Sequence, residues 1–155
     1  MTYFINMLLC LKDTQFNKNN LLINNKINNN VINNSFFYRI YYSTKNAILN
    51  GISMEFVFNN IIVEKHFNKI KINFNKKDNF NTISKLVKIE NDLMNILDID
   101  KKKKFLLRDQ LENNYIKIIN NDNRNANSLK LILKISGFWE TNHDFGLTFR
   151  FLNIC

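Results

Sequence analysis

The sequence predicts a mainly β fold with one helix, because its apolar residues follow two different periods. Several segments alternate apolar and polar residues, the two-residue period of a strand with one buried face. Residues 81–97 instead place their apolar residues at helical spacings. A chain of 155 residues that is 45% hydrophobic can bury one core. We therefore expect a β-rich domain over residues 35–155, preceded by an N-terminal strand or extension and an Asn-rich loop over residues 1–34.

The composition is dominated by asparagine and lysine. The chain has 31 Asn and 18 Lys against 4 Arg, and no Pro, a bias that AT-rich codons produce. A net charge of +9 ordinarily favours an anionic partner such as nucleic acid. Because part of the lysine excess follows from such codons, the charge alone leaves this open.

The N-terminal region carries little pattern. Residues 3–11 are apolar but too short for a membrane span, and they lack the basic flank of a secretory signal. We expect a strand over residues 3–12, with a short helix as the alternative. Residues 16–34 have isolated apolar residues among many Asn, which is typical of a loop or of disorder.

Residues 35–43 are the most aromatic segment and predict a strand with two different faces. Phe37, Arg39 and Tyr41 share one face, and Phe36, Tyr38, Ile40 and Tyr42 share the other. Two rings and a guanidinium on one face suit bases that stack beside a phosphate-binding cation. The alternative is that protein covers both faces.

Two more strand segments follow. After a connection over residues 44–51, residues 52–64 predict a strand or a strand pair broken at Asn59 and Asn60. In residues 66–74, Phe67, Lys69 and Lys71 point outward from an apolar face. These outward residues fit a binding groove or an ordinary solvated strand.

The helix of residues 81–97 has Asn81 as its candidate cap and Glu90 as its one polar interruption. The four consecutive lysines of residues 101–104 are typical of a solvated loop, with phosphate binding as the alternative. A short helix over 105–111, a strand over 115–119 and a polar linker over 120–127 complete this part.

Residues 129–152 predict two adjoining strands around a polar loop at residues 140–144. In the first strand Leu129, Leu131, Leu133 and Ile135 alternate with outward residues that include Lys130 and Lys134, and in the second Leu147, Phe149 and Phe151 oppose Arg150. Counting by twos from Leu129 places Trp139 in the core. A bulge at Gly137 would shift the register by one residue and turn the ring towards a groove.

Three strands, a helix and further strands are the element order of an OB-fold, a five-stranded barrel with its helix between strands 3 and 4. The segment 132–151, read as ILKISGFWET, a short polar loop and GLTFRF, resembles the C-terminal signature of single-stranded-DNA-binding proteins of large cytoplasmic DNA viruses and of the linear cytoplasmic plasmids of yeasts. Phe138 and Phe149 stand where an aliphatic residue and a tyrosine are expected. The resemblance implies a nucleic-acid-binding fold of the OB type and does not show which residues touch DNA.

Motifs for catalysis are absent from the sequence. It has no G-x-x-x-x-G-K-[ST], no G-x-G-x-x-G and no G-x-S-x-G, and Glu140, His143 and Asp144 fall in one short loop. Cys10 and Cys155 have no metal-ligand spacing. We expect no enzyme, no cofactor and no metal, and a reducing, cytoplasmic location.

The leading hypothesis is a sequence-independent single-stranded-DNA-binding protein acting in replication of an AT-rich cytoplasmic replicon. Its partner would be single-stranded DNA, with RNA as an alternative, self-association or replication proteins left open, and no membrane. The candidate nucleic-acid-binding residues are Phe37, Arg39, Tyr41, Phe67, Lys69, Lys71, Lys130, Lys134, Trp139 and Arg150. The second hypothesis is a structural RNA-binding protein, such as a ribosomal protein of an AT-rich organelle, or a small accessory polymerase subunit. The nearly uncharged N-terminal region favours the first, since ribosomal proteins usually carry long basic tails.

Overall fold

A computed structural model describes residues 10–119 and 127–153, which are mainly β with one long helix. The strands are β1 (Leu21–Ile23), β2 (Ile27–Asn28), β3 (Phe36–Ser43), β4 (Ile48–Asn50), β5 (Ile52–Asn59), β6 (Ile61–His66), β7 (Lys69–Phe74), β8 (Lys102–Lys104), β9 (Tyr115–Ile118), β10 (Ser128–Glu140) and β11 (Asp144–Asn153). The helices are α1 (Phe80–Met94) and α2 (Leu106–Glu112), with 3-10 turns at Asp13–Gln15, Lys18–Asn20 and Lys77–Asn79.

All these strands belong to one open sheet, whose order is β1-β3-β10-β11-β9-β7-β6. Strands β2 and β4 also pair with β3, β5 pairs with β10, and β8 pairs with β11. The predicted order of long strands, one long helix and a final strand pair is confirmed. Over the described residues the sheet has eleven strands, five of which are only two to four residues long, and the predicted five-stranded barrel stays a prediction.

Strand β10 organises the sheet because it has three partners. One edge of β10 pairs with β11. The opposite edge pairs with β5 over residues 128–135 and with β3 over residues 137–140. A Cβ on Gly137 would lie 2.0 Å from the Tyr38 carbonyl oxygen, and one on Gly51 would lie 2.7 Å from the Ile135 carbonyl oxygen. Gly51 also has a φ of +82°, which favours glycine. Both glycines therefore stand where three strands meet too closely for any side chain.

The predicted alternation of the C-terminal strands is confirmed on the core side. Leu131, Leu133 and Ile135 of β10 are fully buried, and Phe145 and Phe151 of β11 face the same cluster. The other buried residues of this cluster come from β3, β5, β6, β7, β9 and both helices. These residues form one continuous core.

Helix α1 is confirmed, but its predicted cap is wrong. Asn81 lies inside the helix, and the N-cap residue is Asn79. The Asn79 side chain accepts from the Asn59 backbone N–H at 2.7 Å and donates to the Asn59 carbonyl at 2.9 Å. It therefore ties the start of α1 to the end of β5 instead of capping the helix.

Glu90, the polar interruption of α1, joins the two helices. Its side chain is fully buried and accepts the backbone N–H groups of Leu107 at 3.0 Å and Arg108 at 2.8 Å, which open α2. Burial raises the pKa of Glu90, and the two N–H donors act in the opposite direction. A carboxylate at the N-terminal end of a helix satisfies donors that the helix itself leaves unpaired.

Several segments expected as loops are paired. Strands β1 and β2 form within residues 16–34 and pair with β3, and Leu21 and Ile23 pack against the core. Strand β4 lies within residues 44–51, and β8 lies within the lysine run. Composition does not reveal such pairing, because the hydrogen bonds come from the edge of another strand. Residues 3–9 of the predicted strand 3–12 lie outside the described part, and in the rest of that segment Leu11 forms a β-bridge with Met54. Residues 120–126 of the predicted linker 120–127 also lie outside the described part.

Candidate nucleic-acid interface

Strand β3 has the two faces that the sequence predicts. Ile40 and Tyr42 are buried in the core, whereas Phe37, Arg39 and Tyr41 alternate with them and stay partly exposed. The Arg39 guanidinium lies 5.9 Å from the centroid of the Phe37 ring and donates to Asn50 Oδ1 at 3.2 Å. This outward side of β3 thus presents rings and a fixed cation together.

Trp139 faces outward, so its predicted core position is wrong and the alternative, a bulge at Gly137, is confirmed. The register of β10 against β11 shifts between Ile135 and Gly137, where a bulge adds one residue. Phe138 then takes the buried position, and Trp139 is half-buried on the opposite side. Its direct partner on β3 is Phe37. The bulge therefore brings the single tryptophan onto the same side of the sheet as the outward residues of β3.

Two rings on this side of the sheet lie directly over glycines. A Cβ on Gly146 would meet Trp139 Cζ2 at 2.6 Å, and a Cβ on Gly137 would meet Phe37 Cζ at 2.6 Å. Rings placed in this way cover exposed backbone, which is a structural role. Both residues also stay partly exposed, and base stacking needs an accessible ring. We call Phe37, Arg39, Tyr41 and Trp139 the aromatic face.

Two surface cavities adjoin the aromatic face. The first, of about 340 Å³, is lined by Phe37, Arg39, Thr148 and residues 27–32. The second, of about 470 Å³, is lined on one side by Trp139 and Thr148. Its cations are Lys69, Lys117 and Arg150, and its apolar lining includes Ile32, Leu106, Ile118, Ile119, Leu147 and Phe149. Within the described part of the chain, no carboxylate lines either cavity.

The remaining predicted cations, Lys71, Lys130 and Lys134, line neither cavity. Lys134 is the register partner of Arg150, and Lys71 is the register partner of Lys117. The Lys71 ammonium lies 4.8 Å from the ring centroid of Tyr115. Lys130, by contrast, lies near the beginning of β10, with its ammonium 3.9 Å from a Glu55 carboxylate oxygen.

Phe67 does not lie on a strand face as predicted. Strand β6 ends at His66 and β7 begins at Lys69, so Phe67 and Asn68 form the turn of a hairpin. The Phe67 side chain is 99% exposed. The alternation of residues 66–74 continues through the turn, which is why the sequence shows no break there.

The structure adds Lys117 and Thr148 to the candidate residues. Lys117 alternates with buried Ile116 and Ile118, so periodicity alone contains the signal for it. Thr148 alternates with Leu147 in the same way, but it has neither the charge nor the ring by which we selected candidate binding residues. Ile32 reaches both cavities from the Asn-rich segment, and no sequence pattern indicates that.

Glu140 is buried at the end of β10 and does not belong to the loop in which we expected it. It accepts hydrogen bonds from the Tyr38 hydroxyl and the Lys101 ammonium, and the Lys26 ammonium is 4.0 Å away. Burial alone would raise the pKa of Glu140, but the hydrogen bonds from Lys101 and Tyr38 and the charges of Lys101 and Lys26 together lower it. Burial and this carboxylate raise the pKa of Tyr38 to about 12.

The lysine run of residues 101–104 is partly engaged by the fold. Besides Glu140, Lys101 donates to the Thr141 carbonyl at 2.6 Å. Lys103 donates to Asn95 Oδ1 at 2.7 Å, and the Lys104 ammonium is 3.8 Å from Asp144. The expectation of a solvated loop is therefore wrong, since the run both forms β8 and holds polar contacts.

Neither a metal cluster nor a membrane-spanning helix is found in residues 10–119 and 127–153: no group of three or more His, Cys, Asp or Glu residues could hold an ion, and no helix is long and apolar enough to cross a membrane. No protein-family model, curated protein sequence or solved structure matches the chain.

Proposed function

We propose that this chain is a sequence-independent single-stranded-DNA-binding protein that covers exposed strands during replication of an AT-rich cytoplasmic replicon. One observation carries the proposal: the aromatic face adjoins a cavity with three cations and, among the described residues, no acid. Trp139 and Phe37 supply flat rings, and Arg150, Lys69 and Lys117 supply charge beside them.

The chemistry of this surface suits a single strand better than a duplex. Unpaired bases can stack on exposed rings at roughly 1–3 kcal/mol each, and every base has a π-face, so stacking tolerates any sequence. Cations along the same path exchange bound counterions for phosphates, which gives affinity that falls as salt rises. In a duplex the bases stack on one another, and the rings of the aromatic face have nothing to bind.

The width of the sheet supports a path for several nucleotides. Outward residues of β3, β10, β11, β9 and β7 follow one another across adjacent strands. Five strands at roughly 4.8 Å spacing span about 19 Å between the first and the last. A strand of DNA crossing the sheet would meet the rings of β3 and β10 first and the lysines of β9 and β7 afterwards.

A barrel of the OB type belongs to the same proposal. The pairing β5-β10-β11-β9-β7-β6 begins and ends on two strands that only Asn60 separates in the chain. If β5 and β6 are taken as one bent strand, this series of paired strands closes on itself. The result is a partly open barrel of five strands: β5 with β6, then β10, β11, β9 and β7. The ligand side of such a barrel would include the aromatic face.

The test is a titration of the protein against single-stranded DNA, duplex DNA and RNA of equal length at several salt concentrations. We expect the single strand to bind more tightly than the duplex, with little dependence on base sequence and a steep dependence on salt. Equal affinity for duplex DNA would contradict the proposal. Preference for RNA over DNA would favour the structural RNA-binding alternative.

Substitutions distinguish stacking of bases on the aromatic face from non-specific electrostatic attraction between the basic protein and DNA. Tyr41→Ala removes a ring from the aromatic face, and Phe80→Ala removes a ring that is 69% exposed at the start of α1. We expect only the first to weaken binding. Equal losses, or none, would indicate that binding does not use the aromatic face.

A further inference from the structure

The tip of the β6–β7 hairpin carries an aromatic residue that the fold does not use. His66 and Lys69 are register partners, so Phe67 and Asn68 alone make the turn. The Phe67 side chain is 99% exposed and therefore contributes almost no buried apolar surface. Its presence at the tip has no packing explanation.

The backbone conformation of Phe67 is also unfavourable for its side chain. Among the described non-glycine residues, four have a positive φ: Asn34, Asn60, Phe67 and Asn114. Asparagine tolerates this region, whereas a bulky side chain at a φ of +53° is strained. Tight hairpin turns favour Gly or Asn at such positions. In a chain with 31 Asn, a phenylalanine at this turn goes against the residue preference of the fold.

The position of the tip points to a role beside the second cavity. Asn68 and Lys69, which directly follow Phe67, line that cavity together with Trp139 and Arg150. Phe67 thus directly precedes two residues of the cavity lining, one of them a cation. Strained backbone and an exposed ring at the rim of a binding surface are features that function explains and stability does not.

We propose that Phe67 is a stacking finger: a nucleobase of the bound single strand, at the point where the strand leaves the cavity past Lys69, stacks on its ring. This rests on the proposed function and adds a contact separate from the aromatic face. The finger lies on a two-residue turn, so it can meet bases of any identity without rearrangement of the sheet.

The test compares Phe67→Gly with the wild-type chain, using an oligo-dT strand as the probe. Glycine relieves the strain, so we expect the melting temperature to rise. Loss of one stacked base should weaken binding roughly 5- to 150-fold, with the salt dependence unchanged. Phe67→Tyr keeps the ring and should keep the affinity. Asn114→Gly, a matched change at a φ of +62° in the turn before β9, should leave oligo-dT binding as in the wild type.

The outcomes separate this proposal from the one on which it rests. If the wild type binds oligo-dT and Phe67→Gly binds equally well, the finger is wrong and the proposed function stands. If the wild type does not bind oligo-dT, the proposed function fails and the finger fails with it. If Phe67→Gly keeps DNA binding but changes the sedimentation coefficient of the protein, Phe67 contacts a second copy of the chain and the finger is again wrong.

Discussion

Lys134 and Arg150 occupy directly opposed positions on β10 and β11, so two cations share one side of an antiparallel pair. Like charges placed in this way destabilise the pair. No described carboxylate lies within ion-pair distance of either side chain. A phosphate between them would remove the repulsion, so this pair is where the proposed binding of DNA predicts a phosphate contact.

Neutralising Lys134 should therefore change stability and affinity in opposite directions. We expect Lys134→Gln to raise the free energy of unfolding of the free protein by a few tenths of a kcal/mol, up to about 1 kcal/mol. The same change should weaken single-strand binding and flatten the salt slope by about 0.7 if one phosphate contact is lost. Chemical denaturation and salt-dependent titrations measure the two effects.

Lys130→Gln is the matched control for that prediction. Lys130 lies on the same strand, with Glu55 3.9 Å away, so its charge is already balanced. We expect little effect on affinity and no gain in stability. A variant at Lys134 that lost both stability and affinity would show a structural role for that lysine.

Removing a ring from the aromatic face should weaken binding without changing its salt dependence. We expect Tyr41→Ala or Phe37→Ala to cost roughly 1–3 kcal/mol of binding free energy through lost stacking. Phe37 also covers Gly137, so its variant should lose stability as well, and Tyr41 is the cleaner test. An unchanged affinity in both variants would place the binding surface elsewhere.

The fluorescence of Trp139, the single tryptophan of the chain, should be quenched when poly-dT binds. Trp139 is half-buried and lines the second cavity, so a base stacked there would contact its ring directly. A titration followed by fluorescence measures this, and duplex DNA of equal length serves as the control. If binding is detected by another method while the emission spectrum stays the same, Trp139 does not stack on a base, and its role is only to cover Gly146.

The buried carboxylate of Glu140 should make stability depend on acid pH. Its pKa in the folded protein is lowered from the usual 4.5, so its ionised form stabilises the fold above that pH, and the contribution is lost as pH falls through the folded pKa. At neutral pH we expect Glu140→Gln to cost roughly 1.5–3 kcal/mol of unfolding free energy. The difference between variant and wild type should shrink below about pH 4.5, which urea unfolding at several pH values can follow. A constant difference across that range would show that the charge of Glu140 is not what stabilises the fold.

The same cluster determines how the lysine run can be tested. Lys101 holds Glu140, so its neutralisation leaves a buried carboxylate with fewer partners and should destabilise the protein. Lys102 is exposed at the beginning of β8. Lys102→Gln therefore tests the charge of the run without disturbing the core, and we expect a smaller loss of affinity than for Lys69→Gln.

Periodicity in the sequence predicts the elements that bury one clear face. Strand β3, helix α1 and the β10–β11 pair all follow from alternation or helical spacing, and so does the common side of Phe37, Arg39 and Tyr41. For Trp139 the sequence leaves two positions open, because alternation alone does not show whether Gly137 carries a bulge, and one inserted residue inverts every side chain after it. The turn at Phe67 is hidden for a related reason, since the alternating pattern of residues 66–74 runs through it. Strands β1 and β2 depend on the edge of β3, which is information about neighbours in space.

The late position of β10 in the chain has a consequence for synthesis on the ribosome. Strands β3 and β5 both pair with β10, which begins only at Ser128. At roughly 5–20 residues per second, both strands leave the ribosome several seconds before their partner exists. Unpaired strand edges of this kind can pair with other chains. A nascent chain stopped before Ser128 is thus expected to aggregate instead of folding in part, and the soluble fraction of such a truncated chain would measure this.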